Sequence, residues 1–135
     1  MKENSTFASN KTYQNMNIYL ETENEQAAAE LANEILDDVC GKKVDTWHHC
    51  LRAVHGNAEA SCIYHYTEQD VNEDNKRVKF YMHEKGAKVC FQQTWRENYT
   101  PGRQTKLHLI YKLVNMIMTR YPGKFSGIKF EWGTN

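Results

Sequence analysis

No CxxC pair, no HExxH and no zinc-type Cys/His spacing occur anywhere in this chain. A structural zinc site is therefore not expected, and the four cysteines (Cys40, Cys50, Cys62, Cys90) read as small apolar packing residues. GxSxG, the phosphate-binding P-loop and GxGxxG are also missing, so acyl transfer and nucleotide-fold chemistry lack their usual scaffolding. No apolar run reaches the roughly 18 residues of a membrane span. The opening MKENSTFASNKTYQN has no apolar core, so no secretory signal is expected and the expected compartment is the cytoplasm, where thiols stay reduced. There is no internal repeat and no low-complexity block. No net charge remains either, with 17 Lys and Arg against 17 Asp and Glu.

That neutrality hides a segregation. Residues 1–70 hold five basic and twelve acidic side chains, whereas residues 71–135 hold twelve and five. Such a chain can present a basic surface to an anion while staying neutral as a whole. With 135 residues, 40% of them hydrophobic, one domain with a real core is expected.

The pattern reads as a polar flexible tail over 1–15 followed by a single domain over 16–135. A strand over 16–23 leads to a helix over 25–40, with Thr22 and Glu25 spaced as a capping box. Ala28, Leu31, Ala32, Ile35, Leu36 and Val39 form its buried stripe. Gly41 suits a left-handed stop. Its outer face carries Glu25, Glu30, Glu34, Asp37 and Asp38. Four strands follow, over 43–54, 58–67, 76–84 and 87–95, with Gly56-Asn57 and Lys85-Gly86 as turns and 68–75 as an exposed loop. Thr100-Pro101 suits a helix start. In the helix that follows, Leu107, Ile110, Tyr111, Val114, Ile117, Met118 and Tyr121 read as the core stripe. Leu109, Leu113 and Met116 form a second stripe beside it, a candidate homodimer seam. A last strand covers 125–132. The order β-α-β-β-β-β-α-β predicts an α+β fold, a single-layer antiparallel-rich sheet with two helices packed on one face.

Function is then sought on the other face of the sheet. The expected phase puts His65, Lys79, Tyr81, His83, Lys88, Gln92, Thr94 and Arg96 there, with Arg103, Lys106, Lys112 and Arg120 of the second helix extending the positive field. Cations and aromatic rings together suit single-stranded nucleic acid; a protein-binding surface and a plain solvated sheet are the other readings. One clear aromatic is read on that face, and no RRM-type aromatic motif is present.

The binding residues expected are therefore Lys79, Tyr81, His83, Lys88, Gln92, Arg96, Arg103 and Lys106. Cys50, Cys62 and Cys90 sit in apolar strands, where a thiolate is disfavoured. His48 and His49 are adjacent on a strand and point to opposite faces, so they do not chelate one ion together. Asp74-Asn75-Lys76 has the letters of an acid-x-Lys nuclease but lies in an expected loop.

No metal and no cofactor are expected, and no membrane contact. The favoured reading is a non-enzymatic cytoplasmic binding protein, an inhibitor or accessory factor docking on a protein or nucleic-acid machine through its basic second half. One alternative is a metal-independent RNase in which His65 and His83, with Lys79 nearby, serve as acid and base. Another is an immunity-type protein that blocks a toxin through the acidic first helix, with Glu30 and Glu34 in contact.

Overall fold

A computed structural model describes residues 15–44, 46–54, 58–65, 78–95 and 102–133. Eight elements follow one another: β1 (Asn15–Glu21), α1 (Glu25–Cys40), β2 (Trp47–Val54), β3 (Ala58–His65), β4 (Val78–Lys85), β5 (Lys88–Trp95), α2 (Arg103–Arg120) and β6 (Gly127–Gly133). This is the α+β order read from the sequence. The expected tail, the 68–75 loop, Gly56-Asn57 and Thr100-Pro101 lie outside the described residues, except that Asn15 already belongs to β1.

The six strands form one sheet in the order β2-β3-β4-β5-β1-β6, antiparallel throughout. Strand β1, first in sequence, sits between β5 and β6. Register sorts the side chains, because directly opposed residues share a face. Ile18 opposes Phe91, Leu20 opposes Val89, Met82 opposes Phe91, and Ile63 opposes Phe80. All of these are buried, and they join the apolar residues of α1 and α2 in one core. Both helices therefore cover the same face. Each fully buried Leu, Ile or Phe removes enough apolar area from water to contribute about 1.5–3 kcal/mol.

Helix α1 buries Ala28, Leu31, Ala32, Ile35 and Val39, as its periodicity predicts. Its cap differs from the expected one. Asn24 is the N-cap, and its Oδ1 accepts the Ala27 N–H at 2.8 Å. Thr22 is engaged elsewhere: its N–H and its hydroxyl both reach the Ala87 carbonyl, at 2.9 and 2.6 Å, and clasp β1 to the β4–β5 turn. At the other end Gly41 has φ −78°, and the left-handed residue is Lys42 at φ 57°. Glycine suits position 41 for proximity, since a Cβ there would sit tightly, 3.1 Å from the Asp37 carbonyl oxygen.

Helix α2 corrects the sequence reading. Lys106, Leu109, Ile110, Leu113, Met116 and Ile117 are its buried residues. The stripe read as a homodimer seam, Leu109, Leu113 and Met116, is core, so it cannot join two copies. The residues read as core beside it, Leu107, Tyr111 and Met118, are 47%, 65% and 57% exposed. Most sides of α2 are apolar, so its own pattern did not mark which side meets the sheet. The helix starts at Arg103 with Gly102 as N-cap.

Helix α2 ends where Tyr121, buried, donates its hydroxyl to Asp38 of α1 at 2.8 Å. Burial and that bond hold the phenol far above its ordinary range. Arg120 reaches the same carboxylate at 3.4 Å. Lys124 pairs with Glu34 at 3.4 Å and Lys129 with Glu21 at 3.3 Å. In each of these three pairs the acid comes from the acidic half of the chain and the base from the basic half.

Candidate nucleic-acid interface on the helix-free face

Six strands and two helices on one side leave the other side of the sheet without a covering layer among the described residues. Alternation decides what it shows. In β1, Ile18 and Leu20 turn to the helices, so Asn17, Tyr19 and Glu21 turn away. One row crosses the whole sheet: Cys50, Cys62, Tyr81, Gln92, Asn17 and Glu131. A second row carries His83, Cys90, Tyr19 and Lys129. Lys79 opposes Thr94, and Lys85 opposes Lys88. On the β2–β3 side His48 stacks on Tyr64, with ring centroids 5.9 Å apart and planes 27° apart.

Of the expected binding residues, Lys79, Tyr81, His83, Lys88 and Gln92 share this face, and Thr94 lies with them. Others do not. His65 opposes Trp47 and lies on the helix-covered face, 6% exposed and edge-on to the indole with centroids 5.3 Å apart. Since His83 is on the opposite face, the sheet separates the two imidazoles and the acid–base pair of the RNase reading is not assembled. Lys106 is also turned inward. It is 9% exposed, with its ammonium 5.2 Å from the centre of the Trp95 ring. Burial, helped by the Arg103 charge, lowers its pKa. It therefore adds little to an outward field. Arg103 is exposed on the helix layer, away from the sheet face. Arg96 lies outside the described residues.

Several residues escaped the sequence reading. Tyr19 and Tyr64 give the face three tyrosines where one was expected, and His48, Lys85 and Lys129 belong to it as well. Tyr19 was legible: in NIYLE the two aliphatics face inward and the tyrosine between them must face outward.

The face mixes charge. Lys88 holds its ammonium 5.5 Å from the centre of the Tyr19 ring, a cation–π contact. The Tyr19 hydroxyl lies 3.3 Å from Glu131, and burial first, then the Cys90 and Glu131 charges, raise its pKa. Lys129 is balanced by Glu21. Lys79 and Lys85 enter no ion pair among the described residues. His83 is pushed down by burial and by the Lys85 ammonium, so it is mainly neutral at pH 7. Cys90, opposite both His83 and Tyr19, is buried, and burial pushes its thiol up to about 11. It is thus an inert packing group.

Acidic and basic side chains are mixed on both layers, with Arg103, Lys112 and Arg120 of α2 beside the acids of α1 on the helix layer. Helix α1 carries its acids on the helix layer, and Lys79, Lys85 and Lys88 lie on the sheet face, with Glu21 and Glu131 among them. On α1, Glu30 accepts from Gln26 at 3.2 Å and Glu34 is shared with Lys124. His48 and His49 do diverge as expected: His49 lies on the helix side, its Nδ1 2.7 Å from Cys40 Sγ. Among the described residues no three His, Cys, Asp or Glu side chains gather where they could hold a metal ion. No described helix is long and apolar enough to cross a membrane. Compared with protein-family models, with curated proteins and with solved structures, the chain finds no match.

Proposed function

We propose that this is a non-enzymatic binding protein that holds single-stranded nucleic acid on the helix-free face of its sheet, as an accessory factor to a nucleic-acid machine. One observation carries the reading: Tyr19, Tyr64 and Tyr81 share a face with Lys79, Lys85 and Lys88. Single strands bind to such mixtures because every base has a π-face to stack and every phosphate a charge to meet. Uncharged hydrogen-bonding groups, Asn17, Gln92 and Thr94, lie between the rings. All four cysteines are free, which supports a reducing compartment such as the cytoplasm.

The test is fluorescence anisotropy with a labelled single-stranded RNA of about 15 nucleotides, near the upper site size of one sheet-type module. With three lysines engaged, the slope of log K against log salt is about −2, or roughly a 20-fold loss between 50 and 200 mM. Tyr81→Ala removes one stacking platform and weakens binding by about 5- to 150-fold. Lys79→Glu weakens it further and flattens the salt slope. No binding at low salt, a flat salt response, or equal affinity in the Tyr81→Ala protein overturns the proposal.

A further inference from the structure

On the other layer of the molecule, helix α2 leaves an apolar stripe uncovered. Leu107, Tyr111, Val114 and Met118 follow one another at steps of four, three and four residues. At about 100° per residue they fall within one narrow band of the helix surface. Leu107, Tyr111 and Met118 are 47%, 65% and 57% exposed, and Val114 is half-buried. This is the spacing of a helix–helix seam; Val114 rests partly against the core, and Leu107, Tyr111 and Met118 carry the exposed area.

A second, independent observation lies beside it. A cleft of about 540 Å³ opens along the flank of the same helix, bounded by Lys112, Asn115, Thr119 and Arg120, with Lys43 and His65 across from them. Asn115 stands between cleft and stripe on the helical projection. None of the described residues lining the cleft is acidic. Arg120 is partly balanced by Asp38, whereas Lys43 and Lys112 enter no ion pair among the described residues.

We infer that the α2 stripe and its cationic flank are a docking site for an acidic amphipathic helix of another protein. Its apolar side would lie on Leu107, Tyr111, Val114 and Met118, and its carboxylates would face Lys112 and Lys43. A second copy of this chain fits poorly. Helix α2 contains no Asp or Glu, so two α2 stripes in contact would offer no acid to pair with Arg103 at their edge. Of the two helices only α1 carries acids, and its outer positions Gln26, Glu30, Asn33, Glu34 and Asp37 offer no large apolar side chain. One copy can thus supply charge or apolar area, but not both on one helix.

The experiment uses the full chain and a synthetic fluorescein-labelled peptide of about 18 residues, five helical turns. Its leucines repeat at four-three spacing and its flanks are glutamate. A matched peptide carries lysine in place of each glutamate. The acidic peptide should bind at least about tenfold more tightly than the lysine peptide, a difference of about 1.4 kcal/mol. Tyr111→Glu, at an exposed position, should cost about tenfold or more without lowering the thermal midpoint. Lys43→Glu with Lys112→Glu should reverse the peptide preference. Tyr81→Ala should leave peptide affinity unchanged, which separates this site from the sheet face.

Failure of the wild-type chain to bind the acidic peptide, equal binding of both peptides, or indifference to Tyr111→Glu overturns the inference. So does self-association of the wild-type chain that Tyr111→Glu abolishes, because a second copy would then cover the stripe. So does competition of the labelled RNA for the same residues in an amide-shift map.

Discussion

At His83 two effects act in one direction. Partial burial disfavours the imidazolium, and the Lys85 ammonium adds repulsion, so the folded pKa lies below the unfolded value of about 6.5. The stability tied to this group is complete above that unfolded value and is lost as pH falls through the folded pKa. An NMR titration should place the His83 midpoint below that of a model imidazole. A bound phosphate would offset the Lys85 charge, so single-stranded RNA should move the midpoint upward. A midpoint unmoved by saturating RNA would place the phosphates elsewhere.

The same scale shows what single residues conceal. Gln93 breaks the inward pattern of Val89, Phe91 and Trp95, yet it is fully buried and donates Nε2–H to the Lys106 carbonyl at 3.0 Å. It is a polar tie between β5 and α2, and nothing in the letters of the strand identified its partner thirteen residues beyond. Lys106 counted as a surface cation by its type. Its aliphatic stem and the facing Trp95 ring make it a core residue, which only tertiary packing could decide.

Among the elements, strong periodicity was legible and weak periodicity was not. Helix α1 alternates acids with aliphatics, and its span and buried face were read from the pattern. Its cap is tested simply: Asn24→Ala should lower stability by about 1 kcal/mol, read from urea unfolding, while Thr22→Ala should instead loosen the contact with Ala87. Equal behaviour of the two variants would mean that Asn24 is not the cap. Helix α2 is apolar on most of its circumference, so its rotation was misread by a large angle, and the residues expected inside emerged as the exposed stripe. Strand β3 reads AEASCIYH, with small and apolar residues at successive positions. Its phase had no clean alternation to fix it, and His65 was assigned to the wrong side of the sheet. In β4 and β5 the alternation is plain, and there Lys79, Tyr81, His83 and Gln92 were placed on the correct face.

For the molecule as a whole, the segregated charges do more than mark a surface. Asp38, Glu34 and Glu21 from the acidic half meet Arg120, Lys124 and Lys129 from the basic half, and so fasten α1 and β1 to the end of α2 and the segment that follows it. Exposed pairs of this kind contribute about 0–1 kcal/mol each. The triple variant Glu21→Gln, Glu34→Gln, Asp38→Asn should therefore lose roughly 1–3 kcal/mol in low salt, the Tyr121 hydroxyl bond included. Much of the ion-pair share should vanish in molar salt, where the screening length is about 3 Å. A loss independent of salt would assign the effect to hydrogen bonding alone.

The place of β1 in the sheet also has a consequence for biosynthesis. A ribosome delivers Asn15–Glu21 early, but both neighbours of that strand, Lys88–Trp95 and Gly127–Gly133, emerge much later. Until then Ile18 and Leu20 have no ladder to join, and the nascent chain carries a solitary sticky segment until those strands arrive. Closure of the sheet waits for distant partners, which makes for slow folding and a long interval in which a chaperone has something to hold.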